Sequence, residues 1–304
     1  GASKVDLGGG DNRLEADARI ESVITGDGED VLIFNSDTGK VDAGGGANTI
    51  TVGGNAQSII STGTPTHVTI AGNVQQVTFG AGDNTLNVAG SLGSLNAEGN
   101  NTVTVGGRAN TMTTGDGADV ITIDGSAGAI SLGSGENELT VTGRVNSAVG
   151  GDDIDRFDLG SAGSVNLGNG NNTLVATGRV VDARGGDDVD TITLSGGGNA
   201  DGGEGDDILT NGPIATRLSG GAGDDTFIYV ADGSQWDWFD GGEDTDTVII
   251  RFGSQADFAA AAQELNAFVS GQDVRFGALK LELANIERIE VFVGQDDTTP
   301  DTFV

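Results

Sequence analysis

Cysteine is absent from the chain, histidine occurs once, at His67, and proline only three times. Disulfide staples and thiolate metal sites are therefore excluded, and one imidazole does not make a zinc centre. Basic residues are also scarce: 14 Lys and Arg stand against 46 Asp and Glu, for a formal net charge of −32. That imbalance argues against direct binding to nucleic acid or to an anionic membrane, since both partners are polyanions. No apolar run approaches the roughly 18 residues that a membrane-spanning helix needs, and the opening GASKVDLGGG is not a secretory leader. Catalytic signatures are missing too. His67 stands beside Pro65 and Thr66 without an acid or nucleophile nearby, and neither a nucleophile elbow nor a phosphate-cradling GxxxxGK[ST] occurs. The expectation is a protein without enzymatic activity.

What the chain does contain is 54 glycines in 304 residues and a repeat. Taking Asp225, the sixth residue of GGAGDD (220–225), as reference, equivalent positions are Asn12, Asp30, Asn48, Thr66, Asn84, Asn101, Asp119, Asn137, Asp155, Asn172, Asp190, Asp207, Asp225 and Asp246. Successive members lie 17 or 18 residues apart until the last step of 21. A glycine sits four residues before most of them, and two residues after each comes Leu, Ile, Val or Phe without a gap. An apolar column that complete marks a structural period.

Segments such as NTITV (48–52), NTVTV (101–105) and DVITI (119–123) alternate polar and apolar residues directly after glycine-rich turns, the signature of strands with one buried face. A second short strand follows half a period later, as in VQQVTFG (74–80). One such unit is too small to bury its own apolar face, so copies must stack. The predicted fold is all-β: a parallel β-solenoid, or β-roll, of about 18 residues per coil over 1–250, closed by a small C-terminal α+β cap over 251–304. In that cap SQADFAAAAQELNAFV (254–269) reads as a helix capped at Ser254 and stopped by Gly271, and Trp236, Trp238 and Phe239 read as the start of the plug.

Stacking places residues one coil apart roughly 4.8 Å from each other. Asp190, Asp207, Asp225 and Asp246 then form a column, with Asp188 and other acids alongside, and carboxylates so close repel unless protonated or bridged by a cation. Glycine turns supply inward carbonyls, and an oxygen-only, irregular ligand set favours Ca²⁺ over Mg²⁺. Where the column carries Asn, the competing expectation is an amide ladder without metal.

GGAGDDTFI (220–228) and GGEGDDILT (202–210) resemble the nonapeptide G-G-x-G-x-D-x-U-x of the RTX, or hemolysin-type calcium-binding, repeats. TGDGADVIT (114–122) and TGDGEDVLI (25–33) miss only the first glycine, while GGDDIDRFD (150–158), GGDDVDTIT (185–193) and GGEDTDTVI (241–249) have Asp at the fourth position. The resemblance implies calcium between successive coils, held by sixth-position carboxylates and turn carbonyls. It nominates Asp190, Asp207, Asp225 and Asp246, then Asp30, Asp119 and Asp155, together with Gly203, Gly205, Gly221 and Gly223. Unlike typical RTX repeats, the second edge rarely supplies an acid; Asp201 and Asp237 are the exceptions. NIERIEVF (285–292) is similar to segments that close many RTX blocks, and the final PDTFV resembles the tails of type I secretion substrates. These features lead to the expectation of a secreted or cell-surface structural or adhesive module that folds on calcium and is exported without an N-terminal signal peptide. Arg108, Arg144 and Arg179 recur at every second coil and suggest an alternative, an accessory module gripping acidic polysaccharide or a cell-surface matrix. A fragment of a self-assembling surface-layer protein or giant adhesin is the other.

Overall fold

In the computed structural model the chain is an all-β parallel solenoid of about 13 turns with about 18 residues per turn and one short helix. The structure describes residues 3–230, 235–268, 270–294 and, for the backbone alone, 301–303. The chain divides into two compact units, 1–152 and 153–304.

In the first unit each coil carries two strands, one after the glycine turn and one half a period later. Asn48–Val52, Thr66–Ile70, Asn84–Val88 and Asn101–Val105 pair in parallel, coil to coil, with Ile50 over Val68, Leu86 and Val103. Ala56–Ser61, Val74–Phe79, Leu92–Ala97 and Ala109–Thr114 form the second rank. Period-two alternation puts Val103, Val105, Ala109 and Met112 of one coil inside, each no more than 1% exposed, and Thr49, Thr51, Thr102, Thr104 and His67 outside. Burying such aliphatic side chains contributes roughly 1.5–3 kcal/mol each, so cohesion is distributed coil by coil.

The second unit repeats the plan. Thr173–Ala176, Thr191–Leu194, Ile208–Asn211, Thr226–Tyr229 and Thr247–Phe252 stack in parallel, as do Val180–Gly186, Gly198–Glu204, Thr216–Ala222 and Asp237–Glu243. Trp238 and Phe239 belong to this regular rank and do not begin a plug. Phe239 is buried, stacked on Phe227 with ring centroids 5.3 Å apart.

After Phe252 the helix Gln255–Leu265 begins at Ser254, whose hydroxyl accepts the Asp257 N–H at 3.3 Å, and ends with Asn266 as its C-cap. It is shorter than the sequence suggests: Gly271, with φ +68°, lies beyond its end. The solenoid then resumes. Leu281–Ala284 pairs in parallel with Asp237–Glu243, and Arg288–Val293 with Thr247–Phe252. Two antiparallel pairings follow, Val274–Phe276 on Leu281–Ala284 and Asp301–Phe303 on Arg288–Val293. The rest of the predicted tail, Pro300 and Val304, lies outside the described residues.

Candidate metal centre

The turn that precedes each main strand is built from backbone geometry only glycine adopts easily. In most of these turns the second and fourth positions take positive φ, as at Gly203 (120°), Gly205 (115°), Gly221 (122°) and Gly223 (126°). Where the fourth residue is Asp, the same conformation is kept: Asp153, Asp188 and Asp244 have φ of 81°, 72° and 77°. Short polar side chains tolerate the left-handed region better than other non-glycine residues. Asp188 is therefore a turn residue on the surface, its carboxylate accepting the Gly170 N–H at 3.3 Å, and stands outside the buried column.

The acid pair divides into two ladders. Fifth-position side chains are exposed and accept the N–H of the fifth residue one coil on: Asp206 from Asp224 and Asp224 from Thr245, both at 2.9 Å. Sixth-position side chains point inward. Asp30, Asp119, Asp155, Asp190, Asp207, Asp225 and Asp246 are all at most 1% exposed. Their Oδ1 atoms accept the sixth-position N–H of the preceding coil: in the first unit Asn12 to Asp30 and Asn101 to Asp119, in the second Asn172 to Asp190, Asp190 to Asp207, Asp207 to Asp225 and Asp225 to Asp246. Asn48, Asn84, Asn137 and Asn172 accept the same bond with their amide oxygens. One side-chain oxygen in every such turn is thus structural.

The second atom of the side-chain head separates the turns into two kinds. In the asparagine turns Nδ2 donates to carbonyls of its own turn: Asn84 to Gly80 and Gly82, both at 3.0 Å, Asn137 to Gly133 and Gly135 at 3.4 and 2.7 Å, Asn172 to Gly168 and Gly170 at 3.4 and 2.7 Å. An aspartate has an acceptor at that place and no proton to give. The Oδ2 atoms of Asp30, Asp119, Asp190, Asp207, Asp225 and Asp246 are buried without a hydrogen-bond partner. A buried carboxylate oxygen left facing carbonyls costs at least roughly 1–3 kcal/mol.

The first position of the turn follows the sixth without exception. Beside Asn it is apolar: Leu7, Ala43, Phe79, Leu132 and Leu167, and in the turn before Asn101, one residue shorter than the others, Ala97 takes the same place, in register with Thr114. Beside Asp it is Gly150, Gly185, Gly202, Gly220 or Gly241, or a threonine, Thr25 or Thr114. The glycines are required by space. A Cβ on Gly202 would lie 2.0 Å from Asp207 Oδ2 and 2.8 Å from the Gly220 carbonyl oxygen; one on Gly220 would lie 1.9 Å from Asp225 Oδ2 and 2.6 Å from the Gly241 carbonyl. Gly185 and Gly241 repeat the arrangement with Asp190 and Asp246. The unpartnered carboxylate oxygen and a carbonyl from the next coil converge on space that a side chain would fill.

Burial above all, and then the neighbouring carboxylates, push Asp190, Asp207, Asp225 and Asp246 from the usual 3.8 up to about 7, against the N–H bonds they accept. Asp119 is also raised by burial, against the neighbouring Thr114 hydroxyl and the hydrogen bonds from Asn101. Among the described residues no group of three or more His, Cys, Asp or Glu side chains is gathered to hold a metal. A cation here would be held by one or two carboxylates and otherwise by turn carbonyls, a set that suits calcium.

Two features escaped the sequence reading. Glu287 closes the column, its Oε2 accepting the Asp246 N–H at 2.9 Å. It stands two residues before the strand residue Ile289, as Asp246 stands before Val248, so the signal was present beyond the helical insertion. The pairing of first and sixth positions was equally visible. On the second edge Asp237 is structural: its carboxylate accepts from the Thr216 N–H at 2.8 Å and Asn211 Nδ2 at 3.0 Å. Asp201 is exposed. Arg108 and Arg144 are exposed in the first unit and Arg179 in the second, none with an acidic group within ion-pair distance among the described residues.

No known family model matches the chain, and no curated protein or solved structure is significantly similar to it. No described helix is long and apolar enough to cross a membrane.

Proposed function

We propose that the protein is a calcium-binding structural or adhesive module of the RTX kind, acting outside the cell or at its surface. The observation that carries the reading is the buried, unpartnered Oδ2 repeated at Asp190, Asp207, Asp225 and Asp246, in turns whose asparagine counterparts are satisfied by their own amides. A divalent ion at these places neutralises the column and couples binding to folding, since the unfolded chain does not assemble its carbonyls. Gly203, Gly205, Gly221 and Gly223 give the turns their shape, and Asp30, Asp119 and Asp155 mark further acidic turns. Extracellular calcium, at millimolar levels, suits sites with few carboxylates and many carbonyls. Calorimetric titration of chelator-treated protein, with Mg²⁺ as the control, tests this: the expected result is calcium binding with a cooperative gain of β-type circular dichroism. Equal indifference to both ions would reject it.

A second reading, an accessory module for acidic polysaccharide, is favoured by one cleft of about 430 Å³ in the second unit, lined by Arg179, Asn199, Arg217, Trp236 and Trp238. Arg217 lies 3.7 Å over the Trp238 ring, and among the described residues no acid lines the cleft. Aromatic faces beside guanidinium groups suit an anionic sugar. Binding of an acidic oligosaccharide that Trp238→Ala abolishes would favour this reading, and no binding would remove it.

A further inference from the structure

We propose that calcium dependence is divided between the two compact units: residues 1–152 keep their stability without the metal, and residues 153–304 lose much of theirs. The inference rests on the calcium reading of the acidic turns and adds which parts of the chain obey it.

The amide turns carry their own occupant. In an asparagine turn Nδ2 supplies the hydrogen-bond donors that a bound ion would replace, and the apolar first residue covers the place from the core side. Phe79, Ala97, Leu132 and Leu167 are each at most 2% exposed. Such a turn has neither a charge to neutralise nor room for an ion. In the first unit Asn48, Asn84, Asn101 and Asn137 are of this type, and Asn12 shares its donors, Nδ2 donating to the Gly8 and Gly10 carbonyls, although Leu7 is exposed. Thr66 forms a second neutral variety: its hydroxyl donates to the Gly63 carbonyl at 2.9 Å and meets Ser61 Oγ at 2.8 Å, while the Asn48 N–H turns to the Pro65 carbonyl at 3.2 Å.

Only Asp30 and Asp119 interrupt that series. Each lies between amide turns, so no two acidic turns of this unit adjoin, and each has threonine, not glycine, at the first position. Thr114, beside Asp119, donates its hydroxyl to the Leu132 carbonyl at 2.9 Å. In the second unit the proportion reverses. Asp155, Asp190, Asp207, Asp225 and Asp246 are acidic with glycine first, Asn172 is the single amide turn, and the last four acids are consecutive. There every gap between coils from Asp190 to Asp246 has a buried anionic oxygen on both sides.

The test is hydrogen–deuterium exchange read by mass spectrometry on the full chain, in chelator and in millimolar Ca²⁺, with bound calcium counted on the same samples. In chelator, amides of Asn84–Val88 and Asn101–Val105 are expected to keep their protection within about threefold of the calcium value. Those of Thr191–Leu194, Ile208–Asn211 and Thr226–Tyr229 are expected to exchange at least a hundredfold faster and to recover on adding calcium. If both sets respond equally while calcium is bound, the division is wrong and the calcium reading survives. If no calcium is bound, the calcium reading itself fails, and the division falls with it. A triple variant, Asp207→Asn with Asp225→Asn and Asp246→Asn, supplies the second arm: its second-unit strands should stay protected in chelator, and continued rapid exchange there would overturn the role assigned to the amides.

Discussion

Replacing Asp225 by asparagine is expected to move stability in opposite directions with and without calcium. The Oδ1 atom, which accepts the Asp207 N–H at 2.8 Å, is kept as an amide oxygen. The buried Oδ2 becomes an NH₂ in a turn whose second and fourth residues are Gly221 and Gly223, equivalents of the Gly168 and Gly170 that accept from Asn172. Removing an unsatisfied buried acceptor recovers about 1–3 kcal/mol, and hydrogen bonds add about 0.5–1.5 kcal/mol each. In chelator the variant should therefore be about 2–4 kcal/mol more stable, a rise in Tm of roughly 5–15 °C at ~2–4 °C per kcal/mol. In calcium at about a hundred times Kd the wild type gains about 2.7 kcal/mol from each occupied site that the variant lacks, roughly 5.4 kcal/mol for the two gaps that Asp225 borders toward Asp207 and Asp246. The variant should then be equal or less stable. Thermal unfolding followed by circular dichroism in the two buffers reads both signs. A variant destabilised in chelator as well would refute the assignment of Oδ2 as the unsatisfied atom.

Three further outcomes follow from the same geometry. Gly220→Ala should abolish the calcium response of its turn and lower Tm in calcium, because its Cβ would meet Asp225 Oδ2 at 1.9 Å and the Gly241 carbonyl at 2.6 Å; Gly253→Ala, whose nearest atom is 4.0 Å away, is the neutral control in the same melts. Asn172→Asp alone should destabilise the second unit by about 1–3 kcal/mol with no added calcium binding, since Leu167 fills the first position, whereas the pair Leu167→Gly with Asn172→Asp should gain a calcium-dependent rise in Tm. In chelator, stability should increase as pH falls. The carboxyls of Asp190, Asp207, Asp225 and Asp246 titrate near 7 when folded and near 3.8 when not, so the folded state binds their protons more tightly, and the penalty for ionising them grows between those values. Chelated protein should melt higher at pH 5 than at pH 8, and a flat or reversed profile would contradict the burial argument.

The fold was readable because a solenoid writes one local pattern many times. Apolar residues two places after each reference position, from Leu14 to Val248, fix both the coil length and the inward face, and the register bears this out, with Ile50 over Val68 and Phe227 under Val248. Less legible was what interrupts the period. The helix lengthens the step from Asp246 to Glu287 beyond any fixed ruler, so the last coil went unnoticed although Arg288–Val293 pairs as the earlier strands do. Trp238 and Phe239 misled for a related reason: aromatic bulk suggested an end, whereas their strand pairs with Thr216–Ala222 in the same parallel register as the earlier coils. At the candidate site the sequence located the acids but not their division of labour. A hydrogen-bonded Oδ1 and an unsatisfied Oδ2 are distinguished only by geometry. The meaning of Leu167 against Gly185 emerges only once the first and sixth residues are known to share one buried space.

The most direct test of the central claim is a count of calcium bound per chain after equilibrium dialysis, on the wild type and on variants with Asp207, Asp225 and Asp246 changed to Asn one after another. The account predicts several ions in the wild type and a stepwise fall along the series, with the fold retained. A wild-type protein that holds no calcium at millimolar concentration, or a count that does not change as those carboxylates are removed, would contradict it.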